Sequence, residues 1–151
     1  MFLLIVSIIV LLDQITKYLA VKYLKGEAPH ILIQNFFELE YVENYGAAFG
    51  ILQNKKVFFI IITIMVIVGI ITIFFRYSRR FNNTMNMSLV MLLGGTIGNF
   101  IDRIRLSYVI DFISIKFGRN YSFPVFNIAD MFIVIGTFLI IFMVSFNRYE
   151  I

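Results

Sequence analysis

The chain has 151 residues, of which 60% are hydrophobic and 15% are charged, and its mean hydropathy is +0.90. A typical soluble domain is about half apolar and a quarter charged, and a chain this short must still cover a single core with polar surface. The composition therefore excludes a soluble enzyme and a disordered chain, and it places the protein in a lipid bilayer.

Cysteine and histidine, the residues that form disulfides and most often bind zinc, are nearly missing. Cysteine is absent and the only histidine is His30, so the sequence has no disulfide, no thiol nucleophile and no set of zinc ligands. The net charge of +4 is typical of a membrane chain whose basic residues flank its spans. Nucleic-acid binding is not expected.

Four segments are long and apolar enough to cross a bilayer, which requires about 20 residues. In chain order the predicted spans are residues 2–23, 57–75, 85–104 and 128–146. The first lacks a basic leader and a small-residue cleavage site, so we expect it to be retained and not removed as a signal peptide. Four spans place both termini on one side, and we expect one integral-membrane domain over residues 1–151.

The basic residues leave the orientation open. The short loop between spans two and three carries Arg76, Arg79 and Arg80, which favours a cytoplasmic loop. The opposite side holds a larger number of basic residues: Lys22, Lys25, Lys55, Lys56, Arg103, Arg105, Lys116 and Arg119.

The two longer connections lie on the side opposite that short loop. Residues 31–41 alternate in part between apolar and polar side chains, which predicts one strand resting half-buried at the interface. The sequence NYGAAFG at residues 44–50 predicts a tight turn, and residues 107–124 predict a second loop.

The nine acidic residues divide by type and position. All five Glu fall in loops or the tail, whereas Asp13, Asp102, Asp111 and Asp130 fall inside or beside predicted spans. An ionisable group inside a bilayer costs about 3 kcal/mol or more and usually faces a cavity or a partner. Each of the four aspartates is therefore a candidate functional residue.

Asp13 and Lys17 are four residues apart, so they share one face of a helix and can pair. Two interpretations stay open, a structural ion pair or the positioning of a substrate or loop.

The third span ends in GGTIGNFIDRIR. Gly94 and Gly98 form a GxxxG pattern that predicts close helix packing, and together with Gly95 they would also let a substrate chain lie against this span. Asn99 and Arg103 lie on an adjoining stripe, where their donors would reach such a chain.

Asp111 and Asp130 are the pair of residues in the sequence that most clearly indicates a catalytic site. They are 19 residues apart, one just past the third span and one in the first turn of the fourth, so the intervening loop can bring their carboxyls together. Two carboxyls in low dielectric share a proton, which lets one act as a base on water and the other as an acid toward a carbonyl. Alternatively, Asp130 caps its helix and Asp111 is a loop acid paired with Arg103 or Arg105.

Taken together, five motifs in order resemble the lipoprotein signal peptidase (signal peptidase II) family of bacteria. They are DQITK at 13–17, NYGAAFG at 44–50, GGTIGNFIDR at 94–103, VIDF at 109–112 and FNIAD at 126–130. One departure is Met131, where a small polar residue is expected.

The resemblance implies a four-helix, all-α aspartic endopeptidase of the inner membrane, with cytoplasmic termini and a small extracytoplasmic strand element and loop covering its site. Its substrates would be prolipoproteins with a diacylglyceryl-modified cysteine, cut just before that cysteine. The implied catalytic pair is Asp111 and Asp130. The implied substrate-binding residues are Asp13, Lys17, Asn44, Gly46, Asn99, Asp102, Arg103 and Asn127. Globomycin-type inhibitors and membrane lipid are expected to bind, no metal or organic cofactor is expected, and a monomer is expected.

Two other functions would fit paired membrane carboxyls. A small four-helix transporter would use Asp111 and Asp130 as a proton relay, but such sites typically lie at the bilayer midplane between repeated halves. No internal repeat is visible and the two acids are predicted at shallow depth. A purely structural subunit gives no reason for four Asp, two Asn and Lys17 to gather in or beside spans.

Overall fold

The computed structural model describes residues 2–46, 55–118 and 121–150. Over these residues the chain forms four long helices, α1 (Phe2–Leu24), α2 (Lys56–Tyr77), α3 (Asn83–Arg105) and α4 (Ile128–Ser145). All four are long and apolar enough to cross a membrane. The helices match the predicted spans, and each helix end lies within two residues of its prediction.

A four-stranded antiparallel sheet covers one end of the helix bundle. Its strands are β1 (His30–Ile33), β2 (Phe37–Asn44), β3 (Val109–Phe117) and β4 (Tyr121–Ser122), and they lie in that order. The sheet lies where α1 and α3 end and where α2 and α4 begin. The helical class and the covering strand element are as predicted, although the element is larger than one strand and a loop.

Two local predictions at this end were wrong. The single strand predicted over residues 31–41 is two strands, because the chain reverses at Asn35, whose φ of 58° lies in the left-handed region that Asn adopts more readily than most residues. The amide of Phe36 donates to the carbonyl of Ile33 at 3.1 Å and closes that turn. The loop predicted over residues 107–124 contains β3 and β4. Most of the predicted turn at 44–50 lies outside the described residues.

Three glycines of α3 provide close contacts with the neighbouring helices. A Cβ at Gly98 would lie 2.5 Å from Asp13 Oδ2, and one at Gly95 would lie 2.4 Å from the carbonyl oxygen of Ala129. Gly94 is similarly filled by Ile9 of α1. The predicted helix packing is confirmed. The prediction that this stripe receives a substrate chain was wrong, because the protein's own side chains and backbone occupy the space.

The bundle is layered along its axis. An apolar cluster of Val6, Ile9 and Val90 lies toward the chain termini, and a second lies between α1 and the sheet and consists of Ala20 of α1 with Ile110 and Phe112 of β3. Between them α1 and α3 bury a polar layer that comprises Asp13, Lys17, Asn99 and Asp102.

The end opposite the sheet is closed by backbone contacts. Asn82 caps α3 by accepting a hydrogen bond from the amide of Met85 at 3.0 Å. The backbone amide of Asn82 donates to the carbonyl of Tyr149 at 3.0 Å, and this bond links the C-terminal segment to the α2–α3 turn. Arginines lie in the last turn of α2 or just after α2 and α4 at this end: Arg76, Arg79, Arg80 and Arg148.

Candidate active site

Asp111 is the third residue of β3 and is 2% exposed. Its Oδ2 accepts a hydrogen bond from Asn44 Nδ2 at 2.9 Å, and its Oδ1 accepts one from Asn127 Nδ2 at 2.7 Å. Burial, followed by the negative charge of Asp130, raises the pKa of Asp111 to about 7, although the two amide donors oppose this change. The carboxyl can therefore hold a proton near neutral pH, and its contacts are amides instead of the arginine pair considered above.

Asp130 is the third residue of α4 and has two sets of contacts. It forms a capping box with Asn127: Asn127 Oδ1 accepts from the Asp130 amide at 2.9 Å, and Asp130 Oδ2 accepts from the Asn127 amide at 3.1 Å. Its Oδ1 accepts from Asn99 Nδ2 at 2.7 Å. The helix-capping interpretation thus holds for one carboxylate oxygen, while the other is held by α3.

Asn127 joins the two aspartates and is fully buried. Its side-chain amide donates to Asp111, to Asn99 Oδ1 at 3.1 Å and to the carbonyl of Ile110 at 3.2 Å, while its backbone amide donates to Asp130. One residue therefore fixes both carboxyls relative to each other, although they come from a strand and a helix.

Both aspartates line a cavity of about 710 Å³. Of the other residues predicted for the site, Asn44, Gly46, Asn99 and Arg103 line it too. Part of its wall is apolar and includes Met131, Val134 and Ile135 of α4, whose side chains are also exposed on the surface of the bundle. The cavity therefore opens sideways, toward the surface that faces lipid.

Arg103 adds a cation to this cavity. Its guanidinium carbon lies 5.1 Å from the ring centroid of Phe59 on α2, which is a cation–π distance. This stacking holds the positive charge beside the cavity, where it can attract a substrate carbonyl or carboxylate.

Four of the predicted substrate-binding residues do not line the cavity: Asn127, which holds the two candidate catalytic aspartates, and Asp13, Lys17 and Asp102, which lie beneath it. Asp13, Lys17 and Asp102 are 0%, 1% and 3% exposed. Lys17 Nζ lies 2.9 Å from a carboxylate oxygen of Asp13 and 2.9 Å from one of Asp102, so the predicted pairing of Asp13 with Lys17 is confirmed. Lys17 also donates to Asn99 Oδ1 at 2.9 Å, and this layer therefore supports the floor of the cavity.

Some participating residues were not predicted from the sequence. Gln14 donates to Asp102 Oδ1 at 3.1 Å and to Asp13 Oδ2 at 3.2 Å. Its position between Asp13 and Lys17 is the only signal in the sequence that marks it. Phe59 has no such signal, because it resembles its apolar neighbours on α2.

The rim of the cavity carries a charged cluster centred on Glu43. Its carboxylate accepts hydrogen bonds from Lys25 at 2.9 Å, Tyr45 at 2.8 Å and Tyr41 at 3.1 Å. The bond from Lys25, followed by the one from Tyr45, lowers the pKa of Glu43 to about 2. These contacts tie the end of α1 to the end of β2, next to Asn44.

The arrangement supplies acid–base chemistry from side chains. A carboxyl that keeps its proton near neutral pH, beside a second carboxyl in the same cavity, can act as the acid of a general acid–base pair. Within residues 2–46, 55–118 and 121–150, no three His, Asp or Glu side chains are grouped to hold a metal ion.

A family model described as "Signal peptidase (SPase) II" matches residues 5–146 of the chain. The chain belongs to the signal peptidase II family. It is therefore a protease, and its four apolar helices make it a multi-pass membrane protein.

Relatives and solved structures agree with this assignment. The lipoprotein signal peptidase of Caldanaerobacter subterraneus is 52% identical over 95% of this chain and 94% of the relative. That of Clostridium tetani is 41% identical over 93% of this chain and 90% of the relative. A bacterial membrane enzyme solved by the in meso method at 2.3 Å has a TM-score of 0.86 and 38% identity, covering 95% of this chain and 87% of the other.

Proposed function

We propose that this chain is an aspartic endopeptidase that removes the signal peptide from diacylglyceryl-modified prolipoproteins by cutting just before the lipidated cysteine. The observation that carries the proposal is that Asp111 and Asp130 line one cavity whose apolar wall opens on the lipid-facing side of α4. A signal peptide is an apolar helix anchored in the bilayer, so it would approach from that side. The names of the relatives supply the class of substrate.

The burial of Asp111 and its raised pKa favour placing the shared proton there, which leaves Asp130 as the base. Asp130 takes a proton from water as the water oxygen attacks the scissile carbonyl carbon, and Asp111 donates its proton to the carbonyl oxygen. The tetrahedral intermediate then collapses. Asp130 protonates the leaving amine of the cysteine residue, and Asp111 recovers a proton from the intermediate.

The residues around the two aspartates would either hold the carboxylates in place or bind the substrate. Asn44, Asn99 and Asn127 hold the two carboxylates through their side-chain amides. Arg103 and Gly46 line the cavity with no such bond to a carboxylate, and so would contact the substrate backbone. These contacts would restrict the scissile bond to the reactive orientation. A globomycin-type inhibitor would occupy the same cavity.

The test is cleavage of a diacylglyceryl-cysteine peptide and its unlipidated counterpart by the purified protein. We expect only the lipidated peptide to be cut, and Asp111→Asn or Asp130→Asn to lower kcat by about 10³-fold or more, within the range for loss of a general acid or base. Glu27→Gln, at an exposed loop acid, is the matched control. Full cleavage by either aspartate variant would refute the dyad. Failure of the unmodified protein to cut would favour the proton-relay transporter.

We also propose that the sheet end faces outward and both termini face the cytoplasm of a bacterial inner membrane. The resemblance described above implies this orientation, which the distribution of basic residues leaves open. Because the chain lacks cysteine, single labels are unambiguous. A membrane-impermeant maleimide added to intact cells should label Glu27→Cys and leave Arg79→Cys unlabelled, and the reverse result would invert the orientation. A monomer is proposed as the active unit, which the mass of the detergent-purified protein would test.

A further inference from the structure

The buried acids of the polar layer hold the backbone beside each candidate catalytic residue. Asp13 Oδ1 accepts a hydrogen bond from the amide of Ala129 at 3.0 Å, and Ala129 directly precedes Asp130. Asp102 Oδ2 accepts one from the amide of Ile110 at 3.1 Å, and Ile110 directly precedes Asp111. The same contact thus occurs twice, once on α4 and once on β3.

Lys17 joins these two acids. Its Nζ lies 2.9 Å from Asp13 Oδ2, 2.9 Å from Asp102 Oδ2 and 2.9 Å from Asn99 Oδ1. An ammonium has three N–H donors, so these three contacts use its whole capacity. The third contact also fixes the Asn99 amide, because an oxygen that faces Lys17 leaves Nδ2 to face Asp130.

Stability alone gives little reason for this arrangement. Two carboxylates and one ammonium leave a formal charge of −1 in the interior of a membrane bundle. Apolar residues of similar volume are often at least as stabilising as a buried ion network. A substrate-binding role is also not supported by the positions, because the three side chains are covered and do not line the cavity.

We propose that Asp13, Lys17 and Asp102 form a clamp that sets the separation of Asp111 and Asp130, and that Lys17 is a positioning residue that does not contact the substrate. This inference rests on the proposed function. The clamp acts through the backbone amides of Ile110 and Ala129, which directly precede the two aspartates, and through Asn99, which donates to Asp130. Movement of Lys17 would therefore displace both carboxyls at once.

The test is Lys17→Met, which keeps the length of the side chain and removes its three donors. Displacing a reacting group by ~1 Å can cost about 100-fold, so we expect kcat on the lipidated peptide to fall by about that factor. Binding is measured separately, as the Kd of the same peptide for Asp111→Asn with and without Lys17→Met. We expect that Kd to change less than about twofold, because a positioning residue acts on the reacting groups alone. Lys22→Met, at an exposed position of α1, is the matched control.

Two results would overturn the clamp. If the Kd rises by as much as kcat falls, or if the Kd rises and kcat does not fall, Lys17 is a substrate-binding residue. An unchanged kcat would remove any role in positioning. Failure of the proposed function gives a different pattern, because the unmodified protein and Lys22→Met would then cut no peptide.

A second variant covers the case in which Lys17→Met does not fold. Asp102→Asn keeps the shape of the side chain and lowers the buried formal charge from −1 to 0. It also places a donor where Asp102 now accepts from Gln14 on one oxygen and from Lys17 and Ile110 on the other. The clamp predicts a fall in kcat of about tenfold or more at unchanged Kd, within the range for a mispositioned reacting group. A kcat equal to that of the unmodified protein would limit Asp102 to stability and overturn the proposal.

Discussion

Helices α2 and α3 are nearly equal in length and opposite in character. Over an 18-residue stretch of each, 6% of the residues of α2 are buried against 56% of those of α3, although α2 is the most apolar of the four helices and α3 the least. In water the more apolar helix would lie inside. In a bilayer, lipid covers apolar side chains, so the polar helix is the one that must be buried.

This difference locates the chemistry. Three glycines, Asn99, Asp102 and Arg103 all belong to α3, and they touch α1, α4 or the cavity. The hydropathy that best identifies a span thus points away from the site. A residue of α2 should tolerate change unless it contacts α3, and that expectation can be tested.

Within this comparison of α2 and α3, the largest effect is expected at a pair of glycines, one on each helix. Gly98→Ala would place its Cβ 2.5 Å from Asp13 Oδ2 and 3.2 Å from Ala129 Cβ. Gly69→Ala on α2 has nothing within 4 Å. We expect Gly98→Ala to lower activity by about 100-fold or more, since it displaces both the clamp and the start of α4, and Gly69→Ala to retain full activity.

Activity per folded molecule, measured beside thermal unfolding in detergent, checks this pair. Equal activity for the two variants would show that α3 tolerates a side chain at position 98, and it would contradict the tight packing described there. Loss of activity in Gly69→Ala would show that α2 packs against something other than lipid.

The next effect is on the pH dependence of activity, which we attribute to Asp111 on β3, the strand that follows α3. Since the pKa of Asp111 is about 7, the acid form is lost above that pH. We expect kcat/KM to fall by about tenfold for each pH unit above 7, as for loss of one essential proton. A profile measured from pH 5.5 to 9 tests this, and a rate that stays constant to pH 9 would place the proton elsewhere.

The same group gives a stability prediction with a definite sign. The pKa of Asp111 is raised above its ordinary value of 3.8, so the folded state binds the proton more tightly than the unfolded state. The contribution of this carboxyl to the free energy of unfolding is then fully present below about pH 4 and is lost as the pH rises through about 7. Asp111→Asn cannot ionise, so the midpoint of its thermal unfolding should change less over this range than that of the unmodified protein.

The smallest effect is expected at Phe59, a residue of α2 that does contact α3. Phe59 supports Arg103 from across the helix interface, and a cation–π contact at an accessible site is worth about 0.5–1 kcal/mol. Phe59→Leu should therefore raise KM by about threefold with kcat unchanged. Phe75→Leu, at an exposed residue near the other end of α2, is its control. An equal shift in both variants would trace the effect to lipid contact instead of Arg103.

The sequence was sufficient to place the spans and the acids. Bilayer thickness requires an apolar stretch of nearly fixed length, so the helix ends were predicted to within two residues. The pairing of Asp13 with Lys17 follows from helical spacing and was also predictable.

The contacts between elements were not predictable. The sequence shows that Gly95 is small, but only the fold shows that the carbonyl of Ala129 fills the space beside it. Asn127 binds Asp111 and Asp130 through different atoms, and one sequence does not determine such a pairing. The reversal at Asn35 was missed because the residues two positions before and after it, Ile33 and Phe37, are both apolar and fit one continuous strand.

The sideways opening of the cavity beside Met131 and Val134 has a consequence for measurement. A peptide that enters there is dissolved in lipid or detergent, so its rate of encounter depends on its mole fraction in that phase and not on its molarity in water. Diluting enzyme and substrate with extra empty micelles would slow turnover at constant total substrate. Affinities of inhibitors that use this entrance become comparable only at a stated ratio of ligand to detergent.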